Sequence, residues 1–146
     1  MFVDVQTEIE VDRPRDEVAG YVSDPSNATE WHHIIRSVEW ESPPPVAEGS
    51  RVRFRARFLG RDLAYTYEIR ELVPGWRLVM GTVEGPFSME TTYTFDDAPG
   101  GGARVGPRNR GEPSGFAKGV VVGDGRAMRR ENTKDLARLK ELLEPR

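Results

Sequence analysis

The sequence predicts an α+β fold: a curved, seven-stranded antiparallel sheet wrapped around a long C-terminal helix, with two short helices between strands one and two. Three observations predict it. Alternation of apolar and polar residues dominates the chain before residue 113, tight turns separate consecutive strands, and the 3.6-residue period appears in strength only from Arg126 to Glu144. A chain of 146 residues suits one core, so residues 1–146 are read as a single domain.

Val3, Val5, Thr7, Ile9 and Val11 alternate with Asp4, Gln6, Glu8 and Glu10, which predicts a first strand with one wet face. Pro14 followed by Val18, Tyr21 and Val22 marks a short amphipathic helix that ends before Pro25. A second short helix fits PSNATEWH, and a strand fits Ile34 to Glu41. After Pro43-Pro44-Pro45, the inward set Val52, Phe54, Ala56 and Phe58 alternates with four arginines. A turn over Leu59 to Asp62 sets Phe58 opposite Leu63, Ala56 opposite Tyr65, Phe54 opposite Tyr67 and Val52 opposite Ile69. The turn at Val73-Pro74-Gly75 then pairs Ile69 with Met80 and Tyr67 with Thr82. The next, Val83 to Pro86, pairs Met80 with Met89 and Leu78 with Thr91. Ala103 to Glu112 forms the last strand, with a bulge or break expected at Gly106-Pro107 because proline lacks the ladder donor. The terminal helix carries Met128, Leu136, Leu139 and Leu143 on one face and charges on the other.

Composition removes several function classes. There is no cysteine, hence no disulfide, thiolate metal site or cysteine nucleophile. Apolar runs never exceed three residues, far short of the roughly 20 that span a bilayer, so no membrane insertion is expected. The acidic N-terminus reads as neither a signal nor a transit peptide, and the expected location is the cytoplasm. A net charge of −3 argues against nucleic acid as a partner. The charge is unevenly spread: residues 1–50 hold 3 basic and 11 acidic groups, and the remainder hold 18 and 13. Complementary faces of one sheet explain this asymmetry, with Arg51, Arg53, Arg55 and Arg57 on a solvated face beside Glu39, Glu41 and Glu68.

The string VDRPRDEVAGYVSDPSNATEWH, the turn VPGW, the strand EGPFSMETTYTF and the ending RRENTKDLARLKELLE together resemble the START-like helix-grip superfamily. More narrowly they are similar to its bacterial polyketide cyclase and lipid-transport branch, the SRPBCC proteins. The resemblance covers nearly the whole chain and implies a deep apolar cavity between sheet and terminal helix. On that expectation Phe54, Phe58, Tyr65 and Tyr67 line the cavity from the central hairpin. Met80, Thr82, Met89, Thr91 and Tyr93 line it from the next two strands, and Phe116 from the segment beyond them. The hydroxyls of Tyr65, Tyr67, Thr91 and Tyr93 project from this otherwise apolar face and need partners, either one another or a polar group of a ligand.

Four further residues are candidates for polar chemistry in the pocket: His32, His33, Arg36 and Glu71. Histidine exchanges protons near neutral pH, Arg36 alternates with Ile34 and Val38, and a buried Glu71 would serve as a base. Adjacent histidines point about 100° apart on a helix, and no His-x-x-x-His spacing accompanies them, so no metal site and no cofactor is expected. The aromatase/cyclase relatives place a Ser and an Arg just after paired inward aromatics. Here Tyr65 and Tyr67 are followed by Ile69 and Glu71, and no complete catalytic set is legible. Glycines at 115, 119, 123 and 125 suggest either a gate over residues 115–125 or a frayed segment held by packing of Phe116 and the valines. Two functional readings follow. The first is binding or carriage of a lipid, polyketide or aromatic metabolite; the second is a polyketide cyclase or dehydratase. Pairing of two copies through the sheet edge is the expectation for a protein partner.

Overall fold

The computed structural model describes residues 2–58, 60–112 and 125–144. In chain order its elements are β1 (Val3–Gln6), β2 (Ile9–Val11), α1 (Arg15–Ser23), a single 3-10 turn (Pro25–Asn27) and α2 (Ala28–Trp31). They continue with β3 (Ile35–Trp40), β4 (Arg51–Phe58), β5 (Arg61–Val73), β6 (Arg77–Glu84), β7 (Ser88–Asp97), β8 (Ala103–Glu112) and α3 (Arg126–Leu143). All strand pairs are antiparallel, in the order β1-β8-β7-β6-β5-β4-β3, with β2 sharing the outer lane beside β8. This is the helix-grip fold.

The first strand is divided in two, and proline chemistry explains why. Val5 pairs with Asn109 and Ile9 with Val105, so a single register runs through β1 and β2 and brings Thr7 to Pro107. Thr7 donates its N–H to the Pro107 carbonyl at 3.1 Å, but the proline ring has no N–H to return. The interruption expected at Gly106-Pro107 therefore falls on the partner lane. β8 itself pairs with β7 without a register shift.

Two hairpins correct the expected register by two residues. Phe58 faces Arg61, Phe54 faces Tyr65 and Val52 faces Tyr67, because the β4–β5 connection needs only residues 59 and 60, with Gly60 at φ 79°. Likewise Met80 faces Thr91 and Leu78 faces Tyr93. A slip of two leaves every side chain on its predicted face, which is why the inward set survives. The expected pairings of Ile69 with Met80 and of Tyr67 with Thr82 are present.

The outer face carries the charge pairing. Arg51 meets Glu68 at 3.1 Å and Arg57 meets Asp62 at 2.8 Å, while Arg108 reaches Asp4 at 2.6 Å across the β1–β8 lane. The acidic N-terminal strand and the basic later strands are thus neighbours on one sheet. Apolar packing is divided between two clusters. One joins α1 and α3 to the sheet through Val18, Leu136, Leu139, Leu78, Phe95 and Val105. The other, around Val52, Phe54, Ala56 and Tyr65, lies toward the β3 edge beneath α2. Between them the sheet and helices do not close on each other, and the space left open is the candidate site.

Candidate functional site

The space is a cavity of about 140 Å³. Its walls come from every layer of the fold. Phe54 and Phe58 of β4, Tyr65 and Tyr67 of β5, and Met80 of β6 form the sheet side. Met89, Thr91 and Tyr93 of β7 continue it, while Ala28, Trp31 and His32 close the α2 end and Met128, Glu131, Asn132 and Asp135 project from α3. Most of the predicted lining set thus meets in one chamber. Thr82 does not, because its hydroxyl is held by the Met89 backbone, donating to the carbonyl at 3.0 Å and accepting the N–H at 2.9 Å. Phe116 and all but Gly125 of the 115–125 segment lie outside the described residues.

An aromatic group fills the sheet side. Tyr65 sits 5.3 Å from Tyr67, 5.7 Å from Phe54 and 5.0 Å from Phe87, centroid to centroid, in tilted and edge-to-face arrangements. Burial raises the Tyr65 and Tyr67 hydroxyls above the ordinary phenol range; for Tyr67 the value is about 12, with a Thr91 hydrogen bond working the other way. Thr91 in turn donates to Asn109 Oδ1 at 2.9 Å.

The opposite end is polar and ordered around one carboxylate. The loop after α2 delivers two histidines to Asp135, a residue of the buried face of α3. His32 Nδ1 lies 3.0 Å from Asp135 Oδ2, His33 Nδ1 lies 2.8 Å from Oδ1, and the His33 backbone N–H donates to Oδ1 at 3.2 Å. Glu131, one turn earlier on α3, faces the other nitrogen of His33. Burial works against ionisation of Asp135, yet the hydrogen bonds and charge of His32, with the two bonds from His33, outweigh it and hold the carboxyl below the usual range. An ionised carboxylate only accepts, so both Nδ1 atoms are donors. When His32 is neutral, its lone pair is thereby placed on Nε2, which faces the Tyr93 hydroxyl across 3.4 Å. Burial first and the Asp135 charge second push the Tyr93 phenol upward, so it keeps its proton. Trp31 packs against the His32 ring with centroids 3.7 Å apart and fixes its plane.

Of the four polar candidates only His32 lines the cavity. His33 is nearly half exposed and contacts Asp135 and Glu131. Arg36 is exposed, because a register shift between Ile35 and Ser37 against β4 breaks the alternation on which its inward placement rested. Ile34 and Ile35 take the wall instead. Glu71 lies outside the cavity, pairing with Arg77 at 3.1 Å beside the β5–β6 turn. Sequence reasoning missed Asp135, Glu131 and Asn132. The signal was available: Asp135 falls seven residues after Met128 and four before Leu139, inside the apolar stripe. Among the described residues no three acidic, histidine or cysteine side chains converge as a metal site, and no helix is long and apolar enough to cross a membrane.

A curved sheet gripping a terminal helix over an apolar chamber is the architecture of the START-like superfamily. Within it, the chain belongs to the polyketide cyclase / dehydrase and lipid transport family, whose model it matches over residues 3–144. No curated protein matches it significantly in sequence. Among solved structures, the major latex-like protein 151 of Panax ginseng superposes with a TM-score of 0.78 at 12% identity, covering 99% of each chain. A START superfamily protein from Mycobacterium smegmatis gives 0.71 at 14% identity over 97% of this chain and 94% of that one. The di-domain ARO/CYC BexL from the BE-7585A biosynthetic pathway gives 0.71 at 22% identity, with 94% of this chain covering 45% of BexL. At these identities the likeness is one of fold.

Proposed function

We propose that the protein binds and carries an uncharged, hydrophobic small molecule, of lipid, polyketide or aromatic type, in the cytoplasm. The observation that supports this most is the chamber itself: apolar and aromatic walls with hydrogen-bonding groups gathered at the α3 end. Family membership and the START-like relatives point the same way. The guest lies with its apolar body against Phe54, Tyr65 and Met89 and its polar end toward His32 and Tyr93.

Native mass spectrometry of freshly purified protein, followed by organic extraction, tests this. A stoichiometric apolar compound is expected, and Ala28→Leu, which adds bulk to the α2 wall of the cavity, should release it while the fold persists. A protein that comes out empty and ignores the uncharged fluorescent probe N-phenyl-1-naphthylamine would overturn the reading. A second reading, cyclase or dehydratase chemistry on the bound guest, is favoured by one specific observation. His32 turns Nε2 toward the Tyr93 hydroxyl on the cavity wall while Nδ1 is held by Asp135.

A further inference from the structure

The polar end of the cavity has the parts of an enolisation site. We propose that His32 is a general base toward the α-hydrogen of an uncharged hydrophobic ketone or β-dicarbonyl compound, with Tyr93 donating to its carbonyl oxygen and Asp135 as the positioning residue. The proposal rests on the cavity-binding reading and adds a reaction to it.

Three features carry it. The bond from His32 Nδ1 to Asp135 Oδ2 at 3.0 Å fixes the tautomer, so the basic nitrogen is the one inside the chamber. The Tyr93 hydroxyl stands 3.4 Å from that nitrogen, a contact loose enough to be exchanged for a substrate oxygen. Finally, the Asn132 amide nitrogen on the cavity wall is buried without a hydrogen-bond partner, and it lies on the Asp135 face of α3. A buried donor left unmade is costly, and a rotation of the Asn132 side chain that turns this donor into the chamber would let a carbonyl oxygen satisfy it. The carboxylates of Glu131 and Asp135 on the same wall disfavour an anionic guest, which selects a neutral carbonyl compound over a fatty acid.

The step balances without a co-reactant. His32 Nε2 takes the α-hydrogen as a proton, the C–H electron pair becomes the new C=C bond, and the carbonyl π pair moves to oxygen beneath the Tyr93 O–H. The imidazolium formed is stabilised by the Asp135 carboxylate, then returns its proton to oxygen as the enol or to carbon as the ketone. Run from either side, the net reaction is tautomerisation.

Benzoylacetone is the probe: diluted from acetonitrile, where the enol dominates, into buffer, it relaxes toward the ketone with loss of enol absorbance. The protein should accelerate this relaxation beyond the same concentration of free imidazole. His32→Gln should lower kcat about a hundredfold while equilibrium dialysis shows benzoylacetone still bound. Asp135→Asn would turn an amide N–H toward His32 Nδ1 and reverse the tautomer, so kcat should fall with KM unchanged, a split that loosened packing alone would not give. Should His32→Gln fail to fold by circular dichroism, Tyr93→Phe must show the loss in kcat instead. Binding without acceleration, or a folded His32→Gln as fast as the wild type, overturns the proposal and leaves the binding reading standing. Failure to bind benzoylacetone overturns it too, and a protein that also retains no extractable compound loses both.

Discussion

Asp135 sits where most residues of its kind do not, on the buried face of a helix, and its environment accounts for its ionised state. Three N–H donors from two adjacent histidines converge on it, two of them on Oδ1. A carboxyl whose folded pKa lies below its unfolded value of about 3.9 stabilises the fold fully above that value and loses this contribution as pH falls through the lower folded value. Thermal melts at neutral pH should therefore place Asp135→Asn below the wild type, and the gap should narrow once the pH drops under about 4. A gap of constant size from neutral to strongly acidic pH would mean that shape, not charge, is what the site needs. At this scale the sequence is least legible. His32 and His33 are conspicuous as the only histidines, but the carboxylate that gives them a role lies 102 positions from His33 along the chain. Spacing puts Asp135 on the apolar stripe of α3, but the histidines it meets there come together with it only when the helix docks.

Elements were more legible than their pairings. Period two locates β4 to β7, and period 3.6 locates α3 from the first residue, because both patterns report burial directly. Register was legible only modulo two, since inward residues stay inward when a strand slips by a pair, and turn length, which sets the true partner, is not encoded in the apolar pattern. Where the backbone itself departs from regularity, alternation misleads: the shift beside Arg36 exposes a side chain that counting places indoors. The terminal helix is held chiefly by Leu136 and Leu139, both fully buried against the sheet and α1. Leu139→Ala should cost about 2 to 5 kcal/mol, whereas Leu142→Ala, at 40% exposure, should stay within about 0.5 kcal/mol. Urea unfolding of the two variants checks this, and equal losses would mean that α3 docks through a different face.

For the whole molecule, the arrangement of two apolar clusters with a chamber between them means that folding and binding draw on the same surfaces. Tyr93 belongs to the α3-side cluster and to the cavity wall, and Tyr65 belongs to the β3-side cluster and to the wall. An occupant therefore bridges the two clusters and must stabilise the native state by mass action. At a hundred times its Kd a guest adds about 2.7 kcal/mol, which for a chain of this length corresponds to a rise in Tm of about 5 to 10 °C. Benzoylacetone or the extracted native compound should produce such a rise in the wild type and little in Ala28→Leu, whose added methyl groups compete for the cavity at its α2 wall. His32→Gln should keep most of the rise, since His32 supplies one polar contact while the apolar walls supply the burial. A full shift in Ala28→Leu would move the binding surface away from this cavity. A shift lost in His32→Gln alone would make the polar end, rather than the apolar chamber, the main source of affinity.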